Sequence, residues 1–137
     1  TFEIGKGNII KEGSDVSIIA CGIMVEEGIK AVEMLAKEGI SARLIDMFTI
    51  KPIDRDLVVR CAKETGCIVT AENHNVIGGL GDAVTQVVME ECMVPVERVG
   101  VQDRFGQVGD VDFLKKEYGL TAENIVAKAK AAIAKKK

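Results

Sequence analysis

Short apolar runs alternate with longer amphipathic segments along the chain, and each kind of segment has its own periodicity. Val16–Ala20 is a largely β-branched apolar run that ends close to Gly22, which is typical of a buried strand. From Met24–Glu38 apolar residues recur at helical spacing, charged residues fill the other face, and Gly39 supplies a stop. The first part of the chain therefore predicts a strand followed by an amphipathic helix.

The same alternation continues to the end of the chain. Pro52 and Asp54 predict a turn and an N-cap before a helix that Gly66 ends. The further strands are predicted at Ala42–Phe48, Cys67–Ala71 and Val96–Val101. The further helices are predicted at Asp82–Glu91, at Val111–Tyr118 up to Gly119, and after the N-cap Thr121, where Ile125, Val126, Ala129 and Ile133 face inward. This order predicts right-handed crossovers and a mainly parallel sheet with helices on both faces.

The composition is that of one soluble globular domain. The 137 residues are 47% apolar and 28% charged, with both signs mixed along the chain. A formal net charge of −3 argues against nucleic acid as a partner. No apolar stretch approaches the roughly 18 residues of a membrane span, and the N-terminus lacks the order of a signal peptide. We therefore expect a cytoplasmic protein without membrane or nucleic-acid partners.

The cysteines are predicted to be reduced and packed. None of them stands in a C-x-x-C arrangement that would indicate zinc or redox chemistry, and most lie in or beside apolar runs. The four are Cys21, Cys61, Cys67 and Cys92. This usage fits a cytosolic protein and predicts no metal site.

The strongest candidate for a functional site is the stretch Ala71–Ala83, AENHNVIGGLGDA, which we call the glycine loop. It is predicted to join a strand to a helix, and open α/β sheets place ligand or partner sites at such loops. Its glycines allow positive φ and close approach to another surface because they have no Cβ. The candidate residues are Gly78, Gly79 and Gly81, with the polar Glu72, Asn73, His74 and Asn75 just before them.

Nucleotide-binding motifs are absent from the sequence. The first strand offers only Gly22, and Val84 stands where the third glycine of a dinucleotide fingerprint would follow Gly79 and Gly81. No Walker-type G-x-x-x-x-G-K segment occurs. A helix N-terminus near Asp82 could accept a phosphate, although the carboxylate of Asp82 favours a self-capping role instead.

An acid–base pair is a second possibility within the glycine loop. His74 is the single histidine, and Glu72 lies two residues away, so an extended segment would place both side chains on one side. This pair would suit a small hydrolase. The simpler interpretation is that His74 is a loop residue bonded to backbone or to a neighbouring domain.

A second loop, Gln102–Asp110, follows the last predicted strand and carries Asp103, Arg104 and Phe105 beside glycines. It would lie at the same sheet edge as the glycine loop. Two polar, glycine-bearing loops at one edge suggest a docking face, and an arginine next to a phenylalanine is typical of an interface anchor.

Three segments together carry a resemblance to a known family. The order AENHNVIGGLGDAV, ERVGVQDRFGQVGD and LKKEYGLTAENIV resembles the C-terminal domain of the transketolase family of thiamine-diphosphate enzymes, and FEIGKGNIIKEGSDVSIIACGIMV is similar to the segment that enters that domain. The resemblance covers residues 1–137 as a single domain. It implies a three-layer α/β/α fold with a five-stranded, mainly parallel mixed sheet, whose antiparallel strand is Asn8–Lys11. The residue pattern alone misses that strand among glycines.

The resemblance also implies a function for a longer enzyme. That enzyme would transfer a two-carbon ketol unit between sugar phosphates of the pentose phosphate pathway, with thiamine diphosphate as electron sink and Mg, and would be a homodimer. The family's Gly-Asp-Gly motif with paired asparagines is absent here, because Ala83 follows Gly81-Asp82 and Val111 follows Gly109-Asp110. We therefore expect no catalytic, cofactor-binding or metal residue in this chain and no activity of the chain alone.

The expected role is that of an interface domain, which packs on the N-terminal transketolase domains or subunit through the two loops. The start at Thr1 favours a domain excised from a longer chain, while a separately encoded subunit is the other possibility. The alternatives are the corresponding domain of a deoxyxylulose-phosphate synthase or of a 2-oxo-acid dehydrogenase β subunit. A stand-alone phosphate-binding module is the alternative outside this superfamily.

Overall fold

The computed structural model describes residues 5–48, 52–75, 79–101 and 119–136, and the alternation of the sequence forms strands and helices there. The strands are β1 (Asn8–Lys11), β2 (Val16–Ala20), β3 (Ala42–Asp46), β4 (Ile68–Asn75) and β5 (Val96–Val101). The helices in the described ranges are α1 (Met24–Ala36), α2 (Arg55–Thr65), α3 (Leu80–Glu91) and α4 (Ala122–Lys135).

The strands form one five-stranded sheet in the order β1-β3-β2-β4-β5. The pairs β2–β3, β2–β4 and β4–β5 are parallel. The edge strand β1 runs antiparallel to β3, with Asn8 opposite Asp46. The mixed sheet and the antiparallel strand implied by the resemblance are thus confirmed.

Helices cover both faces of the sheet, which gives three layers. Alternate residues of β2 explain how: Ile18 and Ala20 belong to the core shared with α1 and α4, whereas Ile19 and Cys21 belong to the core shared with α2 and α3. Every residue of β2 is buried. A strand buried on both faces needs a continuous apolar run, and this explains the unbroken pattern of the segment.

The helix ends follow the predicted capping residues at three places. The Asp54 side chain accepts a hydrogen bond from the Leu57 backbone N–H at 3.1 Å and begins α2. Gly66 ends that helix in the left-handed region, at φ 76°. Thr121 accepts from the Asn124 N–H at 3.2 Å and begins α4. These three predictions are confirmed.

Several predicted boundaries are wrong. α1 ends at Ala36, before the predicted Glu38, because the residues that follow form a turn in which the Gly39 N–H bonds the Ala36 carbonyl. β3 ends at Asp46, two residues earlier than predicted. β4 extends to Asn75, because its pairing with β5 continues, after an irregularity, to Asn75 opposite Val101. The helix predicted at Val111–Tyr118 lies outside the described residues.

The cysteines are unpaired, as predicted. Cys21, Cys61 and Cys67 are buried and Cys92 is partly buried. Within the described ranges, no helix combines the length and the apolarity that a membrane crossing requires.

We expect Gly13→Ala to destabilise the domain more than Gly39→Ala. A Cβ at Gly13 would lie 2.3 Å from the backbone carbonyl carbon of Ala42, whereas a Cβ at Gly39 would meet nothing within 4 Å. Overpacking against backbone costs about 1–3 kcal/mol, while Gly39, at φ 78°, carries only a left-handed strain of about 1–2 kcal/mol. Urea unfolding of both variants measures the difference, and equal midpoints would contradict the packing role of Gly13.

Candidate functional site

The carboxyl ends of the parallel strands lie together at one edge of the sheet, which we call the carboxyl edge. Among the predicted site residues, the structure places Glu72 and Asn73 there on β4, with Gly79 and Gly81 at the start of α3. His74 lies in β4, but its side chain is outside the described structure. Also outside the described residues are Gly78, Asp103, Arg104 and Phe105.

The prediction that Glu72, Asn73, His74 and Asn75 belong to a loop is wrong, because β4 includes them. The extended backbone makes alternate residues face alternate sides of the sheet. Glu72 therefore faces the α3 side, whereas Asn73 faces the α1 side. The polar residues that resemble a loop in sequence are the last residues of a strand.

Glu72 anchors the N-terminus of α3. Its side chain is buried, with 0% of the residue exposed. One carboxylate oxygen accepts a hydrogen bond from the Leu80 N–H at 2.8 Å, and the other accepts from the Gly81 N–H at 2.8 Å. The N-cap residue Gly79 has no side chain to do this. A carboxylate at this position also interacts favourably with the helix dipole.

The prediction that Asp82 caps its own helix is wrong. Because α3 begins at Leu80, Asp82 lies inside the first turn. Its carboxylate accepts a hydrogen bond from Arg98 of β5, with 2.6 Å between Oδ1 and Nη1. Glu72 has the capping role instead, so a phosphate at this helix end would have to compete with a buried carboxylate.

The two described glycines of the glycine loop differ from the expectation of positive φ. Gly79 is extended, at φ −97°. Gly81 lies in the helix, and a Cβ there would lie 3.0 Å from Cδ of Arg98 and 3.2 Å from Oγ1 of Thr70. Gly81 thus permits close packing against strands of its own domain, and its approach to another surface stays a prediction.

The hydrolase hypothesis is weakened by the position of Glu72. The segment is extended, so the spacing condition for a pair with His74 is met by the backbone. However, both oxygens of Glu72 bond the backbone of α3, and the carboxylate is inaccessible to solvent. A general base must reach the proton that it removes, and this carboxylate does not reach a surface.

Cys21 follows β2 at the carboxyl edge, and its environment disfavours a nucleophilic role. Burial, and to a lesser extent the nearby carboxylates of Glu72 and Asp46, raise the pKa of its thiol to about 12. The thiolate is the nucleophilic form of cysteine. The side chain is therefore protonated at neutral pH and serves as packing.

Metal binding finds no support in the described part of the chain. There, no group of three or more histidine, cysteine, aspartate or glutamate side chains is arranged to hold an ion. The carboxylates closest to the glycine loop are engaged, Glu72 with α3 and Asp82 with Arg98.

Comparison with known proteins decides the family. The model of the family described as "Transketolase, C-terminal domain" matches residues 5–125. The chain belongs to this family. The resemblance carried by the three sequence segments is thereby confirmed.

Named relatives agree with the assignment. The chain is 51% identical over 128 residues to the 6-deoxy-6-sulfo-D-fructose transketolase subunit of a Clostridium species, covering 93% of this chain and 40% of the relative. It is 45% identical over 126 residues to a putative transketolase C-terminal section of Methanocaldococcus jannaschii, covering 91% and 39%. It is 40% identical over 131 residues to the 1-deoxy-D-xylulose-5-phosphate synthase of Heliobacterium modesticaldum, covering 95% and 20%.

A solved structure confirms the fold. A chain described as a split gene transketolase, inactive beta4 tetramer, superposes with a TM-score of 0.95 at 50% identity. The match covers 99% of this chain and 45% of the other. The chain thus spans between about one fifth and one half of the length of these transketolase-type proteins.

We expect Glu72→Ala to destabilise the domain by roughly 2–4 kcal/mol. Two buried N–H groups would lose their acceptors, and each unsatisfied group costs about 1–3 kcal/mol. Glu72→Gln keeps one acceptor oxygen, so its free energy of unfolding should lie between those of the wild type and Glu72→Ala. Glu33→Gln, on the exposed face of α1, is the control and should stay within about 0.5 kcal/mol. Urea unfolding measures the free energies of unfolding. Hydrogen exchange of Glu72→Ala should be faster at the Leu80 and Gly81 amides, and unchanged exchange in α3 would contradict the anchoring role.

We expect iodoacetamide at pH 8 to modify Cys92 first in the native protein. Cys92 is partly exposed, whereas Cys21 and Cys67 are buried and their thiol pKa values are raised by that burial. Peptide mass mapping measures the order of modification. The same reaction in concentrated urea should label all four cysteines. Native labelling of Cys21 at the rate of Cys92 would show that its thiol is neither buried nor protonated.

Proposed function

We propose that this chain is the C-terminal section of a thiamine-diphosphate-dependent transketolase. It is a non-catalytic domain that packs on an N-terminal part, and that part binds the cofactor with Mg and performs ketol transfer between sugar phosphates of the pentose phosphate pathway. The observation that carries the proposal is the match of nearly the whole chain to less than half of transketolase-type relatives.

The described residues do not fit thiamine diphosphate. The one helix N-terminus in the glycine loop, that of α3, is bonded by the Glu72 carboxylate, which would repel a diphosphate. No described cluster of ligands suits the accompanying metal. The cofactor is therefore assigned to the N-terminal part, and no chemical step is assigned to residues of this chain.

The need for a partner has support from the relatives. The Clostridium protein is named a subunit, and the solved neighbour is described as an inactive tetramer of a split-gene enzyme. By analogy, we infer that this chain alone is inactive and that activity returns on assembly with the N-terminal part. We propose that the assembled enzyme is cytoplasmic and is a homodimer of complete transketolase units.

A second candidate is the same domain of a deoxyxylulose-phosphate synthase. It is favoured by the 40% identity to the Heliobacterium enzyme. That candidate keeps the structural role of this chain and changes only the reaction of the N-terminal part.

The test is reconstitution from separate polypeptides. This chain and the N-terminal polypeptide encoded with it are purified, then assayed separately and mixed, with thiamine diphosphate and Mg. We expect the mixture alone to transfer the ketol unit from xylulose 5-phosphate to ribose 5-phosphate, and to lose this activity without thiamine diphosphate. Turnover of pyruvate with glyceraldehyde 3-phosphate instead would favour the synthase. Turnover by this chain alone would overturn the proposal.

Within this proposal, we expect Gly79→Val to weaken association with the N-terminal part. Gly79 is extended at φ −97° and ψ −153°, outside the left-handed region that favours glycine. The added side chain would obstruct close approach of the partner, and an overpacking cost of about 1–3 kcal/mol corresponds to roughly 5- to 150-fold in the dissociation constant. Isothermal titration measures it.

The control is Ala36→Val, which places the same side chain at the exposed end of α1. It should leave the dissociation constant unchanged. Equal affinities of Gly79→Val and the wild type would remove Gly79 from the interface.

A further inference from the structure

The sheet order places a topological switch point between β2 and β4. From β2 the chain passes through α1 to β3 on one side, whereas from β4 it passes through α3 to β5 on the other side. β2 and β4 are direct neighbours. In open α/β sheets the crevice at the carboxyl ends of such strands is the usual binding position.

Gly22 and Asn73 meet in this crevice. Gly22 follows β2 at φ 63°, and a Cβ there would lie 2.8 Å from Oδ1 of Asn73. That oxygen is buried and has no hydrogen-bond partner. Leaving a buried acceptor without a donor costs free energy, so the arrangement is incomplete as it stands.

Asp46 lies on the other side of β2. Asp46 is opposite Ala20 of β2 in the parallel register, and Ala20 is opposite Ala71 of β4. Asn73 follows Ala71 by two residues and faces the same side, so Asp46 and Asn73 share the face covered by α1. Asp46 is partly buried, and burial raises the pKa of its carboxyl. No described residue donates a hydrogen bond to this carboxylate or forms an ion pair with it. Gly22, Asp46 and Asn73 together are called the switch crevice.

Among the described residues, Lys6 does not serve Asp46 as a counter-charge. Lys6 precedes β1, whose Asn8 is opposite Asp46, but its side chain is exposed and makes no described ion pair with that carboxylate. By contrast, the buried Glu27 on α1 accepts from Lys30 at 3.3 Å and from the Ala122 N–H at 3.1 Å.

At the opposite edge of the sheet, a buried charge forms ion pairs within the domain. Arg43, at the start of β3, is 4% exposed and bonds Glu12 at 2.9 Å and Glu64 at 2.5 Å. Arg60 bonds the same two glutamates. The charges there pair within the domain, although Nη1 of Arg43 is buried without an acceptor. Asp46 of the switch crevice, by contrast, has no described ion-pair partner.

Resting on the proposed function, we infer that the switch crevice receives a cationic side chain of the N-terminal polypeptide, with Asp46 as its counter-charge and Asn73 as a neighbouring amide acceptor. Because Gly22 has no Cβ, the Asn73 amide lies directly against the backbone that follows β2. A phosphate or other anion is disfavoured because Asp46 would repel it.

The test compares Asp46→Asn, Asn73→Ala and wild-type chain in titrations with the N-terminal polypeptide at low and at high salt. Loss of one partner of a desolvated charge pair costs about 2–5 kcal/mol, so Asp46→Asn should bind at least 30-fold more weakly. Its affinity should also depend less on salt, because one charge pair is lost. Asn73→Ala should weaken binding to a smaller extent.

Two controls separate the possible causes. Glu33→Gln removes the same charge from an exposed helix face and should keep wild-type affinity. Asp46→Asn alone should unfold at the wild-type temperature or above, because it removes an unpaired carboxylate from a partly buried position. A large fall in that temperature would show that Asp46 stabilises the domain itself and would overturn the inference.

The remaining outcomes distinguish this inference from the proposed function. If Asp46→Asn binds like the wild type with the same salt dependence, while the wild-type mixture transfers ketol units, the inference is wrong and the proposed function stands. If the wild-type chain does not associate with the N-terminal polypeptide, both are wrong.

Discussion

The carboxylate of Glu72 holds together the strand and the helix on which the candidate site depends. It extends from the buried end of β4 and bonds the first two N–H groups of α3. Because the N-cap Gly79 has no side chain, the helix end depends on an acceptor from another element. Glu72 therefore fixes the start of α3, the helix that connects β4 to β5.

A second buried glutamate does the same on the other face. Glu27 of α1 accepts a hydrogen bond from the Ala122 N–H at the start of α4. In both cases a carboxylate from a neighbouring element meets the positive end of a helix. The N-termini of α3 and α4 are thus occupied by carboxylates of the same domain.

The features that were predicted correctly from the residue pattern are those that depend on residues close in sequence. The unbroken apolar run of β2 and the capping residues Asp54 and Thr121 depend on neighbours within a few positions, and they were confirmed. β1 was not visible in the residue pattern, because glycines surround a short strand whose pairing with β3 joins distant segments. The resemblance supplied it, since a family pattern records pairings that periodicity does not.

The errors at the candidate site have the same origin. Glu72 and Asn73 read as loop residues because they are polar and precede glycines, yet β5 extends the strand past them. Nothing within a few residues of Glu72 indicates that it caps a helix eight positions later. Asp46 gave no signal at all, because a carboxylate at the end of a strand is ordinary until the sheet order places it opposite Ala20 of β2.

The two edges of the sheet differ in a way that bears on assembly. At the amino edge, Arg43 and Arg60 lower the pKa of Glu64, so the network is charged and internally balanced at neutral pH. At the carboxyl edge, Oδ1 of Asn73 is buried without a donor, and the partly buried Asp46 has no described ion-pair partner. A desolvated acceptor raises the free energy of the isolated domain, and a donor supplied from outside removes that cost only in the assembled state. The same groups that slightly destabilise the separate chain would therefore favour the correct partner over water.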